Sequence, residues 1–152
     1  MKWIGFVVVL GVVVAFGVTT YLVTRPPEKT LEVSERAWVS AYEDWSGTKL
    51  RQLDEAVVRM EFGALERNAG LVEPLRSCTA SLTELGAAPT LLEDVGELAF
   101  AACGRAEHAA RLNDRFDISS LASIKLHLRA AEERLRVARR TLRLTLADDA
   151  PV

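Results

Sequence analysis

Two histidines, His108 and His127, and two cysteines, Cys78 and Cys103, are the first residues to test for chemistry. Metal sites in helical bundles use Glu-x-x-His pairs on facing helices, and zinc sites use cysteines and histidines at short spacing. Neither pattern occurs, since no carboxylate stands three residues before either histidine. The histidines therefore read as surface or interhelical residues, with no metal and no cofactor implied. Gly-x-Ser-x-Gly, a glycine-rich phosphate loop and His-Glu-x-x-His are all missing from the sequence. The many carboxylates fall on faces expected to be solvated, so no acid–base pair stands out. These residues point to a protein that is not an enzyme.

The cysteines suggest a disulfide. Both lie in or beside apolar seams of consecutive helices, and two cysteines in an exported domain commonly pair. Register poses a difficulty, because a tight turn after Leu85 would leave the pair about 9 Å out of step at 1.5 Å per helical residue. Pairing then requires the earlier helix to run on through Ala88, or the two helices to cross at an angle.

Two groups of residues are binding candidates. Trp38, Tyr42 and Trp45 share one helical face, which implies core packing, a cleft for an apolar or sugar ligand, or a surface resting on the bilayer. Lys125, Arg129, Arg136, Arg139 and Arg143 form a stripe beside the last apolar seam. Residues 118–146 hold seven Lys/Arg against two Glu, whereas residues 28–107 hold 15 Asp/Glu against 8 Lys/Arg. The stripe either pairs with acidic faces of its own bundle or docks an anionic surface or acidic partner. The net charge of −2 gives no field that calls for nucleic acid.

The elements that must position these residues are helical. After residue 30 the chain is poor in Gly and Pro and never alternates in the manner of a strand. Leu31, Trp38 and Trp45 mark a first helix, Ser46-Gly47-Thr48 a break or bend, and Leu50, Leu53, Val57, Met60 and Ala64 a second run. Leu71, Leu75, Cys78, Leu82 and Leu85 mark a third, closed by Gly86-Ala87-Ala88-Pro89. A capping box at Thr90 to Glu93 opens a fourth, with Leu91, Val95, Leu98, Ala102, Ala106 and Ala109 as its seam. Leu121, Ile124, Leu128, Ala131, Leu135, Ala138 and Leu142 mark the last. Short connections make neighbours antiparallel, so the expected fold is all-α, an up-down bundle of four or five helices over residues 31–146 with a disordered tail at 147–152.

Residues 3–24, from Trp3 to Thr24, carry no charged side chain and would span roughly 30 Å as a helix. They read as a transmembrane anchor ending at the linker 25–30, whose Pro26 and Pro27 stop the helix. A signal peptide cut after Ala15-Phe16-Gly17 is the alternative, although the run exceeds an ordinary signal core. Counting Lys and Arg alone would place the domain inside. The short basic leader and the two cysteines favour the outer side. The expectation is thus a membrane-anchored, extracytoplasmic helical interaction or assembly protein. The alternative is an envelope domain holding a small molecule or anionic glycan near the aromatic cluster.

Overall fold

Ile124, Leu128, Ala131, Leu135, Ala138 and Leu142 recur at three and four residues, which places them on one helical face. The computed structural model describes residues 31–61, 69–114 and 118–148. The described residues form five α-helices: α1 (Val33–Glu61), α2 (Ala69–Arg76), α3 (Cys78–Thr83), α4 (Glu93–Asp114) and α5 (Leu121–Asp148). Among the described residues there is no strand. The six residues of the α5 seam are each at most 1% exposed, and the helix continues two residues into the stretch expected to be a disordered tail. No helix among the described residues is long and apolar enough to cross a membrane. The expected span, residues 3–24, lies outside them.

The expected break at Ser46-Gly47-Thr48 is absent, because α1 runs unbroken through it. Its buried positions are Trp38, Tyr42, Ser46, Lys49, Leu53, Ala56 and Val57. That is a continuous helical stripe whose middle is polar. Ser46 turns its hydroxyl back to donate to the Glu43 carbonyl at 3.2 Å, and Lys49 donates from Nζ to the carbonyl of Pro74 at 2.8 Å. The apolar pattern lapses there while the helix does not.

The helix expected over residues 71–85 is instead two helices meeting at Ser77. Pro74 lies inside α2, where it has no N–H to give the preceding turn. Hydrogen bonds from the Ser77 amide to Glu73 and from the Ser81 amide to Ser77 carry the chain across the junction. The Lys49 ammonium meets the last turn of α2, where carbonyls lack intrahelical partners and a cation is favoured. Beyond α3, Gly86 takes a φ of 83°, a left-handed conformation that closes a helix without the cost of a Cβ. The capping box is not formed. Residues 90–92 make a 3-10 turn closed by the Leu92 amide on the Pro89 carbonyl at 2.7 Å, and no side chain caps it.

The helices form four rods, the second being α2 and α3 together. Lys49 meets Pro74, Trp45 meets Ser81 and Trp38 meets Gly86, so the first two rods run antiparallel. Arg76 pairs with Asp114, the Thr79 amide donates to Glu107, and Cys78 joins Cys103, so α4 is antiparallel to the second rod. Helices α4 and α5 make the most extensive pairing, and α1 closes the ring on α5. The core is this ring's interior, with Leu92, Val95, Ala99, Ala102, Ala106, Ala109 and Ala110 facing in from α4 and the turn before it.

The Cys78–Cys103 disulfide spans 5.1 Å between Cα atoms, inside the range a disulfide requires. The first route anticipated for the register, a helix running on through Ala88, is not taken. Residues 86–89 leave the helix, with Pro89 at φ −54° and ψ 148°. An extended residue advances the chain about 3.3 Å where a helical one advances 1.5 Å, so α4 begins further along and the cysteines come level. The bond closes a loop of 25 residues, worth about 3 kcal/mol in the chain-entropy treatment. Replacing both cysteines by alanine in the full-length chain should therefore lower the unfolding free energy by about that amount, read as a lower urea midpoint. An unchanged midpoint would show that the closure contributes nothing.

Candidate functional site

The aromatic cluster forms as a stack. The rings of Trp38 and Tyr42 lie 5.0 Å apart and 11° from parallel, and those of Tyr42 and Trp45 lie 5.7 Å apart at 36°. Most of it is packed inside, while Trp38 also lines an open groove. Tyr42 is fully buried and Trp38 is 7% exposed, while both indole N–H groups donate to the second rod, Trp45 to Ser81 Oγ at 3.0 Å and Trp38 to the Gly86 carbonyl at 3.4 Å. The packed rings, with both indole donors occupied, hold α1 to that rod, and only Trp38 and Trp45 keep an accessible edge. The Tyr42 hydroxyl is buried with no hydrogen-bond partner. Burial pushes its pKa well above the usual phenol range, and the nearby Arg139 guanidinium opposes this only in part.

The basic stripe runs along the flank of α5 that faces α1. Arg136 and Arg143 are exposed there, and Lys125 is half-buried. Arg136 pairs within its own helix with Glu132 at 2.5 Å. Arg129 is exposed and engaged in an interaction of its own. Arg139 lies over Gly47, where a Cβ would stand 3.7 Å from its Nη1 and 4.0 Å from Arg51 Nη1. Arg51 itself donates to Thr48 Oγ1 at 3.0 Å. The α1 face opposite Arg139 thus presents another guanidinium. No carboxylate among the described residues forms an ion pair with Arg51 or Arg139.

Two further sites join residues from separate elements, which is why spacing along the chain did not single them out. The first is an open groove of about 720 Å³ between the Gly86–Pro89 connection and the first half of α4, lined by Trp38, Leu82, Ala88, Glu93, Glu97 and Phe100 among others. Phe100 is 58% exposed, a costly place for a phenyl ring in water. A methyl group on Gly96 would come within 2.9 Å of the Ala88 Cβ, so glycine there lets the connection lie against the helix. The second site unites the two histidines, whose rings meet edge to face at 4.4 Å between α4 and α5. Arg105, Arg111 and Arg134 surround them. The pattern Arg105, His108, Arg111 at intervals of three was the available sequence signal. It became visible only once α5 supplied His127 and Arg134.

No protein family matches the chain, and comparison with curated proteins and with solved structures returns no similar protein. Its own geometry therefore carries the functional argument.

Lys49 yields a direct test of that geometry. Burial lowers the pKa of its ammonium from 10.5, so the unfolded chain binds a proton that the folded chain gives up. Its contribution to stability therefore rises as pH climbs towards 10.5. Tyr42, raised above its ordinary value of 10.0, acts in the opposite sense at higher pH and is common to wild type and variant. The stability difference between wild type and Lys49→Met should grow in favour of wild type between neutral pH and the ordinary lysine value. Urea unfolding across that interval measures it, and a flat difference would mean that the ammonium is not desolvated.

Proposed function

We propose that this chain is a membrane-anchored, extracytoplasmic helical interaction or assembly protein that does no chemistry on its partner. Residues 3–24 hold it to the membrane, and the bundle presents a rigid binding surface. The length of the uncharged run supports the anchor. The Cys78–Cys103 disulfide supports the outer side, because such bonds persist in oxidising compartments.

The observation that carries the binding role is Phe100. It stands exposed at the edge of an apolar groove whose floor is Leu82, Ala88 and the rim of Trp38, with the carboxylates of Glu93 and Glu97 one turn apart beside it. An exposed aromatic in a concave apolar site is the usual form of an anchor for a partner, and charge fixes the partner's chemistry. The occupant is an apolar protein segment bearing lysine or arginine. An anionic glycan in this groove would be repelled by Glu93 and Glu97.

Two measurements test this. A photoreactive phenylalanine analogue placed at Phe100 of the full-length chain should cross-link in membranes to a defined partner, and reversal of Glu93 and Glu97 to lysine should abolish the adduct. The same analogue at Leu144, exposed on α5, is the control. An adduct indifferent to the charge reversal would sink the assignment of the groove. Alkylation of the protein in intact cells should find no free thiol, whereas freely alkylated Cys78 and Cys103 would place the bundle in a reducing compartment.

A further inference from the structure

We propose that the face shared by α4 and α5 is a binding site for a tetrahedral oxyanion, a phosphate or sulfate group, gripped by Arg105, Arg111, Arg134 and the two imidazoles. This site is separate from the Phe100 groove and does not rest on it. Along α4 the residues Ala101, Gly104, Arg105, His108 and Arg111 fall on one flank, and His127 and Arg134 face them from α5. Together they line a shallow groove of about 380 Å³ to which no carboxylate contributes. Its floor is made of small residues, and a Cβ built on Gly104 would meet nothing within 4 Å. Room for a compact ligand therefore lies directly beneath the cations.

The hydrogen bonding suits an acceptor-only guest. Arg105 Nη1 stands 3.2 Å from His127 Nδ1. A guanidinium can only donate, so Nδ1 accepts and the imidazole proton sits on Nε2. Burial first, then His108 and Arg105, hold the His127 pKa below 6.5, which keeps the ring neutral at pH 7 and offers its N–H as one more donor. Glu107, beside His108 in the chain, accepts the Thr79 amide at 2.8 Å and pairs with Arg111 at 3.9 Å without lining the groove. Neither Arg105 nor Arg134 has an ion-pair partner among the described residues. Three guanidinium groups and two imidazoles thus converge from two helices with no carboxylate in the groove between them. Mutual repulsion makes that arrangement costly until an anion enters, and donors approaching from several directions match a tetrahedral oxyanion better than a planar carboxylate.

The test uses the full-length chain in mild non-ionic detergent, with the imidazole nitrogen resonances of His108 and His127 followed by NMR at constant ionic strength. Added inorganic phosphate or sulfate should shift both rings saturably and raise the His127 pKa, since a bound anion favours the imidazolium. Arg105→Gln and Arg134→Gln should each weaken the response about tenfold or more, while Arg136→Gln on the opposite flank of α5 should leave it unchanged. If Arg105→Gln fails to fold, wild-type saturation together with Arg134→Gln carries the test. Shifts that never saturate, that chloride reproduces, that acetate matches, or that survive both substitutions overturn the proposal. Phosphatidylcholine nanodiscs with and without phosphatidylglycerol separate the sources. Imidazole shifts in the anionic discs without added phosphate assign the group to a lipid headgroup, and a response to phosphate alone assigns it to a soluble ligand.

Discussion

Alanine at positions 99, 102, 106, 109 and 110 is the constraint from which the rest of the bundle follows. These residues are all buried on α4, and α5 answers with Ala131 and Ala138 between larger residues. Small side chains at a contact let two helix axes approach closely, and α4 with α5 is the most extensive pair in the fold. The drawback is a shortage of apolar area, since a buried methyl group contributes about 0.8 kcal/mol where a leucine side chain contributes roughly 1.5–3 kcal/mol. Other attachments hold α4 in the ring. The disulfide at Cys103, the Glu107 carboxylate on the Thr79 amide, and the Arg76–Asp114 pair all tie it to the second rod.

The same closeness brings long polar side chains on the flanks of α4 and α5 together. Arg105 and His127 meet because the alanines between them keep the helices near, and the His108–His127 ring contact depends on the same spacing. On the other flank of α5, Arg139 and Arg51 gather over Gly47. Charge of one sign thus accumulates on both sides of α5. Among the described residues the carboxylates outside α5 lie mainly on outward faces, with Glu93 and Glu97 beside Phe100.

What could be seen in the sequence was periodicity with strong contrast. The last helix was legible almost residue by residue, because its seam alternates leucine or isoleucine with alanine and its other faces are charged. The cysteine pair was legible too, although the geometry that levels it was not, since that depends on how far four non-helical residues carry the chain. Where contrast failed, so did the expectation. Ser46 and Lys49 occupy core positions of α1 with polar side chains, and a pattern built on apolar spacing divides the helix there. Phe100 and the Arg105–His108–Arg111 series sit on outward faces of α4. Their significance comes from Trp38, the Gly86–Pro89 connection and α5, none of which is close to them in the chain.

The closed loop also sets how the bundle answers a pull. Held at Leu31 and at the end of α5, an unlinked chain could lengthen throughout, whereas the bond between Cys78 and Cys103 withdraws 25 residues from extension. At full stretch those residues would supply about 85 Å of contour. Tension therefore bypasses α3 and the first half of α4, which include the floor and acidic rim of the Phe100 groove. It falls on α1, α2, the second half of α4 and α5, which the bond leaves in the line of force. All of the groove except Trp38 rides inside the part of the chain that force cannot lengthen.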